Sequence, residues 1–180
     1  MYTRLPGVNL AGFPAPSTLT NLSLGNQIAT SLVGIARWQN LQRLILNQPL
    51  DMIEWEELTK LPQLIGLYLG DFCDLTQAVR LPDLEEFHIH TERSDLQLDL
   101  IPDLFPQLKR LSLSCRGWAP DITPLKNLNA SLNLYVSDAS SVIGLEHFPA
   151  DRVTLSPRPR TQSSRLCPAS ATASASREQR

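Results

Sequence analysis

Apolar residues along this chain recur in short bursts of a single spacing. In Leu41-Gln42-Arg43-Leu44-Ile45-Leu46, leucine holds the first, fourth and sixth places. The spacing returns in Leu19-Thr20-Asn21-Leu22-Ser23-Leu24, Leu64-Ile65-Gly66-Leu67-Tyr68-Leu69, Leu84-Glu85-Glu86-Phe87-His88-Ile89 and Leu108-Lys109-Arg110-Leu111-Ser112-Leu113. The first places at 19, 41, 64, 84 and 108 stand 22, 23, 20 and 24 residues apart. These intervals fall inside the ~20–29-residue window of a repeat that builds one strand and one return per turn. Weaker copies begin at Asn129 and Ala150, each 21 residues after the last first place, and keep two of the three apolar residues. Each burst predicts a short strand, and about seven stacked turns predict a parallel sheet.

The returns carry a second signature. Ile35, Leu58, Leu81, Leu104 and Leu125 precede the next strand and are placed to seal the back of the coil, while Pro62, Pro82 and Pro106 stop any helix and favour extended backbone. Met52 to Leu58 has weak helical spacing and predicts one short helix; elsewhere turns and 3₁₀ pieces are expected. Residues 1–18, with Leu5-Pro6-Gly7-Val8-Asn9-Leu10 and a proline-rich turn, read as a partial repeat or cap. Residues 19–156 read as the repeat body, and 157–180, rich in Pro, Arg, Ser and Ala, as a disordered tail.

Alternation within a strand sends the fourth and sixth places inward and the third, fifth and seventh outward. The fifth-place column runs Ser23, Ile45, Tyr68, His88, Ser112, Asn133, Thr154, and the third-place column includes Arg43, Gly66, Glu86 and Arg110. With strands ~4.8 Å apart, Ile45, Tyr68 and His88 form one outward patch, flanked by Arg43, Glu86 and Arg110 and extended by His90 and Ser112. An isoleucine on that face has no packing role there, and aromatic and arginine side chains are favoured interface anchors. Arg43, Ile45, Tyr68, Glu86, His88, His90, Arg110 and Ser112 are therefore the candidate partner-binding residues. Gly66 and Gly70 beside Tyr68 predict an accessible ring.

Charge narrows the partner. Residues 151–180 hold 6 Arg against 2 acids, which leaves 10 Lys+Arg against 16 Asp+Glu in residues 1–150, a balance of −6. A folded part without a basic balance argues against nucleic acid. Three cysteines, Cys73, Cys115 and Cys167, without CxxC pairing argue against a disulfide framework and for a reducing compartment. No basic-then-apolar leader and no run near ~18 apolar residues is present, so a cytoplasmic protein without membrane association is expected.

Candidate chemistry centres on two of the same residues. His88-Ile89-His90 puts two imidazoles on one strand face, and Glu86, Asp71 or Cys115 are the further ligand candidates, but they complete no standard zinc pattern. A metal-dependent enzyme centred on His88 and His90 is the rival reading, a structural fragment without its own ligand is a third, and elemental analysis separates the first from the others. No GxSxG, GxxxxGK, HExxH or GxGxxG motif occurs. The Glu54, Glu56 and Glu57 run reads as a solvated face, and Trp38, Trp55 and Trp118 as back-face core. No cofactor is implied.

With LxxLxL strands and LxxLPxL returns over residues 19 to 155, the chain resembles the leucine-rich repeat superfamily. The resemblance implies an α/β solenoid with a parallel sheet on its concave face and mostly turns, 3₁₀ pieces and few short helices on its convex face. The family's ninth-place Asn or Cys is replaced by Gln27, Pro49, Phe72, Glu92 and Arg116, so the coil is expected to be less regular. Such irregular repeats, and the closing segment from Glu146 to Arg160, are similar to the C-terminal sensor arrays of bacterial NACHT-type ATPases. The resemblance implies a non-catalytic module that binds a protein on its concave face, as the sensing part of such an ATPase or as a stand-alone relative.

Overall fold

The computed structural model describes residues 10–12, 16–24, 31–46, 54–70, 75–92 and 94–157. They form an α/β arrangement dominated by one seven-stranded, wholly parallel sheet whose strand order follows the chain. The strands are β1 (Asn21–Leu24), β2 (Arg43–Leu46), β3 (Gly66–Gly70), β4 (Glu86–Thr91), β5 (Arg110–Cys115), β6 (Ser131–Val136) and β7 (Val153–Pro157). Each begins within a few residues of a predicted burst. Register is set by like residues: Leu22, Leu44, Leu67, Phe87, Leu111, Leu132 and Val153 are successive partners. So are Leu24, Leu46, Leu69, Ile89, Leu113, Leu134 and Leu155. A slip of one residue would turn the buried members of these columns out of the core, which pins the pairing.

Strand entry has one recurring device. The carbonyls of Thr20, Gln42, Ile65 and Glu85 each accept two consecutive N–H groups from the next turn, Gln42 and Arg43, Ile65 and Gly66, Glu85 and Glu86, and Lys109 and Arg110 respectively. Donors that would otherwise be orphaned as the chain bends into the sheet are satisfied there.

The returns are built from chains of three-residue turns. Leu32, Ile35, Trp38 and Leu41 are linked by successive i to i+3 backbone bonds, as are Leu58, Leu61 and Leu64, and Ile122, Leu125 and Leu128. Side chains three apart eclipse in this geometry, so an apolar residue at every third place gives one apolar stripe facing the sheet. All ten of these residues are buried. Among the described residues the returns contain two single-turn α-helices, α1 (Trp55–Leu58) and α2 (Ile101–Leu104). The first lies within the predicted helical stretch. The second was not anticipated, and its Pro102 sits in the first turn, where a missing N–H costs nothing.

Trp38 and Trp55 are buried as expected, and Trp118 packs half-buried against the core. Glu54 departs from its reading as solvated charge: its carboxylate accepts from the Ser31 hydroxyl at 2.9 Å and from the Leu32 N–H, tying one return to the preceding one. The inward alternation also runs one place further than expected. Thr91, Cys115 and Val136, at the eighth place, are buried beneath the end of the sheet. At the ninth place, Arg116 and Glu92 form an exposed ion pair at 2.8 Å between neighbouring turns. The other ninth-place residues, most of the 1–18 segment, Cys73, Cys167 and everything after Pro157 lie outside the described residues.

Candidate functional site

The face of the sheet opposite the core carries the third, fifth and seventh places. Ile45 pairs with Tyr68, Tyr68 with His88 and His88 with Ser112, while Arg43 pairs with Gly66, Gly66 with Glu86 and Glu86 with Arg110. The predicted columns are therefore real neighbours, and the face is organised around β4.

Glu86 is its centre. Arg43 Nε donates to Glu86 Oε2 at 3.1 Å, and the Tyr68 hydroxyl donates to the same oxygen at 2.8 Å. From the other side, Arg110 donates to Glu86 Oε1 at 3.2 Å. Arg43 stands on β2, two strands from Glu86, a Cα separation of about 10 Å. It can reach because Gly66 intervenes: a Cβ there would lie 3.0 Å from Arg43 Cγ, 3.4 Å from Tyr68 Cε2 and 3.5 Å from Glu86 Oε2. Gly66 thus lets three side chains close over it. Tyr68, expected to stand free between glycines, is half-buried instead, tied down by Glu86 and stacked on His88.

The charges are mutually adjusted. The Glu86 carboxyl is held below the ordinary range, first by the bond from Arg43 and against partial burial, with help from the Tyr68 hydroxyl and the Arg110 charge. The Tyr68 hydroxyl is pushed up, first by burial and then by the carboxylate it faces. The Arg43 guanidinium is raised by the same carboxylate.

A second group lies on the β5 side. The Tyr68 and His88 rings stack with centroids 5.8 Å apart and planes at 27°, and His88 and Tyr135 lie 6.4 Å apart at 51°. Tyr135 is on β6, so it leans across β5 to reach β4. The two residues beneath that span are serines. Ser114 lies 3.0 Å from His90 Nδ1, and Ser112 accepts from Asn133 at 3.4 Å. Both serines are buried, so Ser112, read as a candidate contact residue, lies low on the face between larger neighbours. Tyr135, exposed in the seventh-place column, also belongs to the face. The signal was there, because Tyr135 occupies the outward seventh place of the burst that begins at Asn129, but reach across two strands is not written in spacing.

The metal candidates separate. His88 and His90 share the face, but Glu86 is occupied by two arginines and a tyrosine. Cys115 points into the core on the opposite side of the sheet from the two histidines, where burial pushes its thiol up to about 12. Asp71 lies outside the described residues. No group of three His, Cys, Asp or Glu that could hold a metal occurs among the described residues. His147 stands apart, 3.5 Å from Glu146 in a return.

No protein-family model matches the chain, and no curated protein matches it. No helix among the described residues is long and apolar enough to cross a membrane.

Proposed function

We propose that this chain is a leucine-rich repeat solenoid acting as a non-catalytic protein-interaction module, with its partner seated on the concave face formed by the outer side of the sheet. The observation that carries the reading is the assembly on β2 to β6. There Ile45, Tyr68, His88 and Tyr135 form an apolar and aromatic surface beside the Arg43, Glu86 and Arg110 network, and the remaining leucine columns are consumed by the core. Rigid parallel strands hold these side chains in place, and anchors that are ordered before binding lose little entropy when a partner arrives. Stacked-repeat proteins use extended faces in this way.

We read the module as cytoplasmic, in line with its unpaired buried Cys115. Since the sequence holds no phosphate-binding loop, it would be the sensing part of a NACHT-type ATPase or an independent adaptor. The test is affinity capture from lysate by the parent and by the Ile45→Ser, Tyr68→Ala double variant at matched thermal midpoints. The variant is expected to lose the specific partner, and an unchanged capture profile would remove this face from the function.

A further inference from the structure

We propose that the partner presents an acidic, extended segment, with a carboxylate received by Arg43 and Arg110 and an adjacent aromatic or apolar side chain set against Tyr68, His88 and Tyr135; this rests on the interaction reading above. The first support is charge placement. Across all seven strands the only Asp, Glu, Lys or Arg residues are Arg43, Glu86 and Arg110, a balance of +1, whereas residues 1–150 together carry −6. The face is a positive window in an acidic body. Within residues 1–150 an acidic segment meets net repulsion outside this window and net attraction in it, which selects orientation as well as partner.

The second support is geometry. Arg43 and Arg110 start on β2 and β5, three strands apart, yet both converge on the two oxygens of one carboxylate. Each spends one guanidinium nitrogen on Glu86, and their side chains remain 39% and 57% exposed. Glu86, 19% exposed, holds both forks in position without neutralising the pair. A planar guanidinium receives a carboxylate through two parallel bonds, and one already held in place gives up little freedom in doing so.

The third support is adjacency. The Tyr68 hydroxyl is bonded to the same Glu86, and its ring begins the stack through His88 to Tyr135, so the apolar surface starts where the charged pair ends. A nucleic acid would ask more of this face, because its affinity comes from neutralising several phosphates, and the strands offer a single net positive charge.

The experiment is selection of a random-peptide phage library on the full chain, followed by fluorescence anisotropy of the enriched peptides as labelled synthetic forms. Enriched peptides are expected to place Asp or Glu beside Trp, Tyr, Phe or Leu and to weaken as salt is raised. They should bind Arg110→Glu at least about tenfold more weakly than the parent. Arg110→Gln, which removes the charge without setting a new carboxylate beside Glu86, should show the same direction at an unchanged thermal midpoint. Neutral or basic peptides that still require Tyr68 would overturn the acidic partner and leave the face standing. Peptides indifferent to both Tyr68→Ala and Arg110→Gln, or no enrichment at all, would overturn the interaction reading and this inference with it. Tighter capture of a mixed-sequence oligonucleotide than of the acidic peptides would overturn the inference alone.

Discussion

Leu134 and Leu155 are the same residue type, at the same place of the apolar spacing, and direct partners across β6 and β7, yet truncating them should have very different costs. Replacing leucine by alanine removes three carbons, worth about 2.4 kcal/mol of transfer free energy at ~0.8 kcal/mol each. Leu134 is 0% exposed and enclosed on both sides, so the cavity adds to that loss and Leu134→Ala should cost about 3–5 kcal/mol. Leu155 is 38% exposed on the last strand, so roughly three fifths of the transfer term applies and no closed cavity forms, leaving about 1–1.5 kcal/mol. Urea unfolding followed through the fluorescence of Trp38, Trp55 and Trp118 measures both, with an unchanged denaturant slope as the condition for comparison. A Leu155→Ala loss as large as that of Leu134→Ala would mean that something covers the outer side of β7, and would refute the reasoning from an open end.

Glu86→Gln keeps the shape of the side chain but removes the charge that two arginines share, and it should cost about 1 kcal/mol at neutral pH, since the arginines are well solvated. The depressed carboxyl of Glu86 contributes stability that is present above the unfolded-state value of about 4.3 and is lost as pH falls through the folded one. The parent should therefore lose stability more steeply in acid than the Gln variant, and parallel pH profiles would show the network to be energetically idle. Gly144→Ala should cost at least ~1–2 kcal/mol by thermal melt, because φ is +89° and the new Cβ would lie 2.5 Å from Thr123 Oγ1 and 2.7 Å from its N; an unchanged midpoint would mean that the turn rebuilds itself. In a Cys73→Ser, Cys167→Ser background, Cys115 should stay unreactive toward a disulfide reagent at neutral pH until urea unfolds the chain, and prompt labelling would contradict its burial.

The sequence was most legible where one force dominates. A leucine at the first, fourth and sixth places at near-constant intervals can be buried in only one register, so strand positions, parallel pairing and the outward columns followed from spacing alone. The returns were half legible: turns with i to i+3 bonds and the helix near Trp55 were foreseen, while Pro62, Pro82 and Pro106, read as favouring extended backbone, lie in turns, and α2 was not foreseen. The site was legible as a set of neighbours but not as a mechanism of contact. Ser112 was placed on the outward face without its burial being foreseen, and Glu54 read as solvent-facing because its partners Ser31 and Leu32 lie more than 20 residues away.

By itself, then, the sequence determined the spacing of the apolar bursts, the inward and outward faces and the strands on which Arg43, Tyr68, Glu86, His88 and Arg110 stand, because side-chain alternation is a local property of extended backbone. Only the tertiary structure decided which of them touch. Whether Arg43 reaches Glu86 depends on the absence of a Cβ at Gly66, and whether Tyr135 meets His88 depends on the small serines of β5 between them. Contacts that skip a strand are set by the residue in the middle, and its neighbours in space come from turns 20 or more residues away in the chain.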